Sequence, residues 1–375
     1  MSKLHLFGNV FEYCKKSGFP AGLGSENGVY PFFTSSDKLS KKINSFIYDS
    51  PSLIFGTGGK ASVHYCDAKF NTSTDCIVAK PINYKETFPK YIYYYLRKNF
   101  HLIENGFKGA GLKHISKDYI SKLKVPLPTL LEQKRIAEIL DKADSIRIKR
   151  KESISLLDEF LRSVFLDMFG DPVRNEKEWE MKTLRELSDH IVDCPHSTPI
   201  HSSRITQFPC IRTTELRNGY IDWSRMKYVE KEVYDERTKR LIPKEGDIVF
   251  GREGTFGGAV RIPGNTTICL GQRVMLFRPN KAFVNSIFLW NLIRSKSIFQ
   301  QATKKSTGST VSHVNVKDIV KFKGICPPLN LQAQFAKIVE QVEATKAKME
   351  ESLREMDNQF NGLLQRAFGG RNIEN

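Results

Sequence analysis

The chain has 375 residues, of which 58 are lysine or arginine and 41 are aspartate or glutamate, giving a formal net charge of +17. That length is enough for two domains, and so basic a charge favours nucleic acid as a partner over a surface that only serves solubility. No apolar run is long enough to cross a membrane, the first residues lack the apolar core of a signal peptide, and the seven scattered cysteines suit reduced thiols, so we expect a cytoplasmic protein without a membrane partner.

The first half of the chain carries short apolar and aromatic runs separated by glycine, proline and asparagine, a pattern typical of strand-rich α/β domains. Leu53–Gly56 is such a run, and it leads into the glycine-rich segment Gly56–Lys60. This segment lacks the spacing of a Walker loop. We therefore expect a turn between two strands, with Lys60 as a candidate DNA contact. Farther along, Ile92–Arg97 is a candidate short helix.

An internal repeat relates the two halves of the chain at a constant offset of 199 residues. Residues 114–140, HISKDYISKLKVPLPTLLEQKRIAEIL, match residues 313–339, HVNVKDIVKFKGICPPLNLQAQFAKIV, without a gap. A repeat of this kind indicates that one structural unit occurs twice. Two looser matches lie upstream, where Leu53–Gly56 resembles Ile248–Gly251 and Ile92–Arg97 resembles Phe288–Arg294.

A long helix is predicted in each half, after the repeated Pro128 and Pro327. Residues 136–168 contain neither proline nor glycine, and apolar side chains recur at alternating steps of four and three. The same steps run through residues 335–367. The pattern predicts two helices of about 33 residues, each roughly 50 Å long, that end at Gly170 and Gly369. The seam residues that we single out are Ile136, Leu140, Ile154, Leu157 and Leu161 in the first helix, and Phe335, Val339, Leu353, Met356 and Phe360 in the second.

A seam of this length needs a partner along its whole extent. One interpretation is that each helix packs on its own globular domain. We favour the other, an antiparallel pair of helices, because a domain surface would cover only part of the seam. Such a pair would hold the two domains at opposite ends of a rigid rod.

Three segments resemble the specificity subunits of Type I restriction-modification systems. Residues 126–144, PLPTLLEQKRIAEILDKAD, and 156–172, LLDEFLRSVFLDMFGDP, are similar to the central helical region of these subunits. Residues 193–199, DCPHSTP, are similar to a loop near the start of their target-recognition domains. The resemblance implies an α+β chain with two α/β target-recognition domains and two long helices that form an antiparallel coiled coil. The implied boundaries are 1–128 and 171–327 for the recognition domains, 129–170 and 328–370 for the helical spacers, and 371–375 for a tail.

The same resemblance implies a function and a set of partners. Each target-recognition domain would read one half of a bipartite site on double-stranded DNA, and the helix pair would set the distance between the halves. Two modification subunits, which bind S-adenosylmethionine and methylate adenine, and two restriction subunits, which use ATP and Mg²⁺, would complete the complex. This chain would then be a non-catalytic subunit without a cofactor of its own.

Candidate DNA contacts concentrate in the loops that precede the repeated histidine. Lys304–Thr310 lies before His313, and its counterpart Lys108–Lys113 lies before His114. Ammonium groups, hydroxyl groups and glycine backbone suit phosphate binding, and a solvated surface loop is the alternative. Four arginines are candidates for guanine, which arginine can bind through two hydrogen bonds. The candidates are Lys60, Lys108, Lys113, His114, Arg212, Arg217, Arg252, Arg273, Lys304, Lys305, Ser306, Thr307, Ser309, Thr310 and His313.

The sequence offers no set of catalytic or metal-binding residues. It lacks the Asn/Asp-Pro-Pro-Tyr/Phe segment with which adenine methyltransferases of this kind hold a flipped base. Cys194, His196, His201 and Cys210 match no ordinary zinc spacing, and the first half has no equivalent, so we predict no metal. Two rival functions stay open: a stand-alone duplicated DNA-processing enzyme, and a coiled-coil scaffold that binds only protein. The first would need clustered acidic residues or a cofactor loop at matched positions, and we find neither.

Overall fold

The computed structural model describes residues 3–109, 113–217, 219–252, 257–305 and 314–369. The chain forms two compact units, residues 1–153 with 349–375 and residues 154–348. Each unit contains one globular region and one part of each long helix. No helix in the described part of the chain is long and apolar enough to cross a membrane.

The first globular region is a mixture of short strands and helices. Its strands are β1 (Leu4–Leu6), β2 (Phe11–Tyr13), β3 (Tyr30–Phe33), β4 (Lys41–Ile43), β5 (Ser52–Gly56), β6 (Ser62–Cys66), β7 (Asn71–Thr72), β8 (Cys76–Pro81) and β9 (Lys124–Pro126). Its helices are α1 (Phe7–Val10), α2 (Pro89–Lys98), α3 (His101–Glu104) and α4 (Lys117–Ser121), with a 3₁₀ turn at Ala21–Leu23. The expected strand at 53–56 and the expected helix at 92–97 are both present.

An antiparallel sheet in the order β2-β8-β5-β6 forms the centre of this region. All five residues of β5 are buried, because its two neighbours cover both of its edges and α2 packs close by. A second sheet has the order β4-β3-β7, and β1 pairs with β9. Large aromatic side chains such as Phe7, Phe55, Tyr91 and Tyr95 fill the core. The burial of these large apolar surfaces stabilises the region.

The second globular region has its own set of strands and helices. The strands are β10 (Met181–Thr183), β11 (Ser188–Asp193), β12 (Pro209–Ile211), β13 (Leu216–Arg217), β14 (Tyr220–Ile221), β15 (Lys227–Tyr228), β16 (Ile248–Gly251), β17 (Ala259–Arg261), β18 (Cys269–Leu270), β19 (Val274–Pro279) and β20 (Lys323–Ile325). The helices are α6 (Lys231–Thr238), α7 (Ser286–Ile293), α8 (Lys296–Lys305) and α9 (Val316–Ile319), with 3₁₀ turns at Thr213–Glu215 and Trp223–Arg225.

The two globular regions share the strand order of three sheets, and the second region has the additional pair β13-β14. The sheet β11-β19-β16-β17 repeats the order β2-β8-β5-β6, and β15-β12-β18 repeats β4-β3-β7, with one antiparallel and one parallel pairing in each. The pair β10 and β20 repeats β1 and β9. The repeat therefore extends through the globular regions, where the sequence shows it only weakly.

The long helices are α5 (Leu130–Phe169) and α10 (Leu329–Phe368), which follow β9 and β20 respectively. Each has 40 residues, rather than the predicted 33, and is about 60 Å long. The extra residues lie mainly at the start, where the backbone N–H of Gln133 already donates to the carbonyl oxygen of Thr129 at 3.0 Å. This first turn lies before the apolar seam begins, so the periodicity of the seam does not reveal it.

The two helices run antiparallel within each unit. In the first unit the Arg147 side chain lies 2.6 Å from the Asp357 carboxylate. In the second unit the Lys346 ammonium lies 2.7 Å from the Asp158 carboxylate, and the Phe165 and Phe335 rings pack at 5.5 Å. Lys346 and Asp357 stand 199 residues after Arg147 and Asp158, so one ion pair occurs once in each unit. The fold class that the resemblance implied is confirmed.

Both interpretations of the seam are partly right. Each helix contacts the other helix. In addition, the hydrophobic core of each unit includes side chains from one end of α5 and one end of α10. The first core includes Ala137 and Leu140 of α5 together with Phe360 and Leu364 of α10. The second core includes Leu161, Phe165 and Phe169 of α5 together with Phe335 and Val339 of α10. The middle residues Ile154, Leu157, Leu353 and Met356 are half-buried.

Candidate nucleic-acid interface

In the first globular region, two loops meet at His114. We call Gly56–Lys60 together with Lys108, Asp75 and residues 113–114 the first loop cluster. Lys108 and His114 exchange two backbone hydrogen bonds of 3.0 Å, and the Nδ1 of His114 lies 3.0 Å from the carbonyl oxygen of Thr57. A carbonyl can only accept, so this nitrogen carries the proton. His114 therefore joins the backbone at Lys108 to the glycine-rich turn.

The glycine-rich segment is a turn between antiparallel strands, as predicted. Gly56 of β5 pairs with Ser62 of β6, and Gly59 has φ +77°, a left-handed conformation that favours glycine. Ser35 supports the turn, since its hydroxyl oxygen accepts from the backbone N–H groups of Thr57 at 3.1 Å and Gly58 at 3.2 Å. The turn is thus held by Ser35 and by His114.

The first loop cluster exposes several basic side chains. Lys60, Lys108, Lys113 and His114 are all exposed. Exposed ammonium groups on a shared loop surface suit the phosphates of a nucleic-acid backbone. Their role in DNA binding stays a prediction.

The second globular region repeats this loop arrangement. We call Arg252, Arg273 and Val314 the second loop cluster. The backbone N–H of Arg252 donates to the carbonyl oxygen of Arg273 at 3.1 Å, and that of Val314 donates to the carbonyl oxygen of Arg252 at 3.4 Å. The first region makes the same two bonds, from Thr57 to Asp75 at 2.8 Å and from Ile115 to Thr57 at 3.2 Å. The position that follows each repeated histidine is thus built into the same loop junction.

Arg252 is the predicted base contact with the least access to solvent. Only 7% of it is exposed, and its Nε donates to the Asp193 carboxylate at 3.0 Å. This ion pair joins β11 to the end of β16. A contact from Arg252 to a base would require that pair to open, so its position favours a supporting role, and its contact with DNA stays a prediction.

Two other predicted arginines are engaged within their own domain. Arg212 makes two side-chain hydrogen bonds to the fully buried Glu215, at 2.6 and 3.3 Å, and these occupy its Nε and Nη2 donors. Arg217 is 41% exposed and lies 3.8 Å from Asp222. Arg273 is exposed and has φ +63°. Of the four arginines, Arg217 and Arg273 have the more exposed side chains.

The predicted lysine-rich loop is in part a helix. Lys304 and Lys305 are exposed residues of the last turn of α8, because the burial of Ile298 and Ala302 in the core extends this helix beyond the point where its composition suggests a loop. Two lysines at a helix C-terminus also interact favourably with its dipole. The other candidates of this segment, Ser306, Thr307, Ser309, Thr310 and His313, lie outside the described residues.

The four residues considered for zinc do not form a metal site. Cys194 and Cys210 are buried, and Cys210 pairs with Cys269 across adjacent parallel strands. The hydrogen bond that the Cys269 thiol donates to Cys210, together with burial, raises the pKa of the Cys269 thiol, which keeps it protonated. Within the described ranges, no three histidine, cysteine or acidic side chains come together as metal ligands.

Arg237 is a structural residue of this region that the sequence analysis did not single out. It is buried and donates to the carbonyl oxygens of Leu270 at 2.6 Å, Gly271 at 3.0 Å and Ser197 at 3.2 Å. It therefore ties the 193–199 loop to the segment that leads into Arg273. Its partners are backbone carbonyls, so no residue pattern in the sequence signals the contact.

A comparison with known families decides the identity of the chain. The family model described as "Type I restriction modification DNA specificity domain" matches residues 7–157 and 176–356. This chain belongs to the family of Type I restriction-modification specificity subunits. The two matched ranges each include one of the two globular regions, as expected for a subunit with a duplicated recognition domain.

Known specificity subunits resemble this one along nearly its whole length. The MjaVIII specificity subunit of Methanocaldococcus jannaschii is 22% identical over 386 residues, which cover 95% of this chain and 90% of that protein. The EcoDI specificity subunit of Escherichia coli is 22% identical over 397 residues, covering 93% and 84%. The crystal structure of a Type I restriction-modification S subunit from M. genitalium matches with a TM-score of 0.64 at 15% identity, covering 100% of this chain and 97% of that one. The match to this crystal structure supports the fold of the chain and not its function.

Membership in this family settles the main functional question. Specificity subunits are the non-catalytic DNA-recognition components of restriction-modification complexes, so this chain recognises DNA and is not an enzyme. The resemblance stated from the sequence is confirmed. The stand-alone enzyme and the protein-only scaffold are thereby set aside.

Proposed function

We propose that each globular region of this specificity subunit reads one half of a bipartite DNA target through its loop cluster. The observation that carries the proposal is the repeated loop junction, in which the same two backbone bonds join Thr57 to Asp75 and Ile115, and Arg252 to Arg273 and Val314. Each domain would present one surface to DNA. Because the two surfaces share a backbone arrangement but carry different side chains, they suit two half-sites that differ in sequence. We propose residues 1–128 and 171–327 as the two reading domains.

The proposal assigns the long helices to spacing. A pair of helices is stiff along its axis, so its length can determine how far apart two half-sites lie. The paired segments, residues 129–170 and 328–370, would then set the spacer and leave the half-site sequences to the domains. The ion pairs Arg147–Asp357 and Lys346–Asp158 hold the register of the two helices within their respective units.

The proposal also includes the composition of the complex. Two modification subunits that bind S-adenosylmethionine dock on this chain, and two restriction subunits that use ATP and Mg²⁺ join them in the cytoplasm. Exposed apolar side chains on α5 support docking, since protein partners commonly cover such groups. In the first unit these are Ile139, Ile146 and Ile148, and in the second they are Leu156, Phe160 and Leu166.

Reconstitution tests this proposal directly. The purified chain alone should transfer no methyl group to DNA in the presence of S-adenosylmethionine. Addition of a cognate modification subunit should produce adenine methylation within a two-part motif. Methyl transfer by the chain alone, or methylation by the complex that ignores sequence, would contradict the proposal.

A further inference from the structure

Two residues, one in each globular region, occupy equivalent backbone positions but carry side chains of opposite charge. Gly56 at the end of β5 pairs with Cys76, and Gly251 at the end of β16 pairs with Val274. The residues before these partners are Asp75 and Arg273. The carbonyl oxygen of each accepts a hydrogen bond from the residue after the glycine, at 2.8 Å in the first region and 3.1 Å in the second. The same backbone position thus carries an acidic side chain in the first domain and a basic side chain in the second.

The backbone at Asp75 is held firmly while its side chain is exposed. Its carbonyl oxygen accepts from the Ser35 hydroxyl at 2.6 Å, the Thr57 N–H at 2.8 Å and the Thr57 hydroxyl at 2.9 Å. No ion pair or side-chain hydrogen bond joins the Asp75 carboxylate to the rest of the described chain. The backbone of Asp75 is therefore fixed, and its exposed carboxylate is accessible to an external ligand.

Arg273 is presented by a strained backbone. Its φ of +63° lies in the left-handed region, which only four non-glycine residues of the described chain adopt. The left-handed conformation is unfavourable for an arginine, and such backbone strain concentrates where a side chain serves a function. The neighbouring Gln272 bonds to Thr198 at 2.8 Å, and Arg237 holds Gly271 at 3.0 Å, so the surrounding segment keeps the conformation in place.

The chemistry of the Asp75 and Arg273 side chains favours contacts with DNA bases over contacts with DNA phosphates. The first loop cluster carries Lys60, Lys108 and Lys113, and a carboxylate among them repels the DNA backbone. A carboxylate can accept a hydrogen bond from the N4 amino group of cytosine in the major groove. An arginine at the equivalent position can donate two hydrogen bonds to the N7 and O6 of guanine.

We propose that Asp75 and Arg273 are specificity-determining residues at one equivalent position of the two domains. Asp75 accepts from a cytosine amino group in the half-site of the first domain, and Arg273 binds a guanine in the half-site of the second. This inference rests on the proposed function, because it requires both loop clusters to face DNA. It adds which side chain in each cluster discriminates and which base it selects.

Competition binding by the complex with a modification subunit tests the inference. Duplexes that carry every single base-pair change in the target are compared for the wild type, Asp75→Ala and Arg273→Gly. Glycine is used at 273 because it adopts the left-handed conformation without strain. We expect Asp75→Ala to reduce discrimination for cytosine at one position of one half-site by about 5- to 100-fold, and Arg273→Gly to do the same for guanine in the other half-site. Asp75→Ala should also raise affinity for unrelated DNA, since it removes a repelling charge.

Matched controls separate this role from a general charge effect. Asp49→Ala and Arg185→Ala remove exposed side chains of the same types and should leave every preference unchanged. If Asp75→Ala lowers the melting temperature, Asp75→Asn replaces it, because asparagine has nearly the same shape as aspartate. Unchanged preferences in the variants, or an equal loss of affinity for all duplexes, would overturn the inference and leave the proposed function standing. A wild-type complex without any two-part preference would overturn the proposed function itself.

Discussion

Two buried glutamines show how a short motif secures the start of each long helix. The Nε2 of Gln133 donates to the carbonyl oxygens of Glu86 and Pro128, both at 2.8 Å, and its Oε1 accepts from the Phe88 N–H at 2.8 Å. Gln332 makes the same three bonds, to Phe283, Pro327 and Asn285. Each glutamine thus joins the first turn of a long helix to the entrance of α2 or α7. The sequence repeat aligns the two residues, but their role appears only when these backbone groups are brought together.

Replacement of such a glutamine should be costly. Gln133→Ala leaves three partly buried backbone groups without their partner, and each unmet group costs about 1–3 kcal/mol, part of which water can recover. We expect Gln133→Ala to destabilise the first unit by roughly 2–4 kcal/mol, measured by urea unfolding monitored by fluorescence. The exposed Gln341→Ala is the control and should change stability by less than about 0.5 kcal/mol. Equal effects of the two substitutions would contradict this account of Gln133.

The exposed lysines at the end of α8 should act through phosphate contacts. Removal of both by Lys304→Ala with Lys305→Ala should weaken binding to matched and unmatched DNA alike. The slope of log affinity against log salt should fall by nearly 2, since each phosphate contact contributes about 0.9. Lys337→Ala with Lys348→Ala removes two exposed lysines of α10 and serves as the control. An unchanged slope in the first double variant would place the end of α8 away from DNA.

At the scale of elements, periodicity predicted the long helices better than composition predicted the loops. The seam of α5 and α10 is a regular pattern over many turns, so the helices and their antiparallel pairing followed from it. The segment at Lys304 was expected to be a loop, because lysine, serine and glycine dominate it, yet burial of Ala302 carries α8 through Lys305. The loop junctions at Thr57 and Arg252 depend on contacts between distant segments, and no local pattern encodes them.

Longer helices should change the spacer of the DNA target and leave its half-sites intact. We propose to duplicate residues 151–154 in α5 together with residues 350–353 in α10, which stand 199 residues later. Four residues add about 6 Å and 1.1 turns to each helix, so the seam is roughly kept. The preferred spacer should lengthen by one or two base pairs, as measured by binding to duplexes of varied spacer length. Insertion in α5 alone is the control, and it should weaken binding by disturbing the helix pairing.

A rewritten half-site after this double insertion would contradict the spacing role. In that case the helices themselves would be part of the surface that reads DNA. An unchanged spacer with intact half-sites would show that the distance between half-sites is determined elsewhere in the complex.

At the scale of the whole molecule, duplication explains most of what the sequence could predict. The 199-residue offset, the seam and the net charge of +17 were sufficient for a two-domain, DNA-binding chain. The target itself could not be predicted, because base selection depends on a few exposed side chains such as Asp75 and Arg273. Their shared position becomes visible only when the strands beside Gly56 and Gly251 are paired.

The central claim is that each globular region reads one half-site on its own. The most direct measurement is the methylated motif in the DNA of cells that express the complex, before and after residues 171–327 are exchanged for the second recognition domain of a related subunit. The account predicts an adenine-methylated motif of two short half-sites, in which the exchange alters one half-site and preserves the other half-site and the spacer. A single continuous motif, or an exchange that alters both half-sites together, would contradict it.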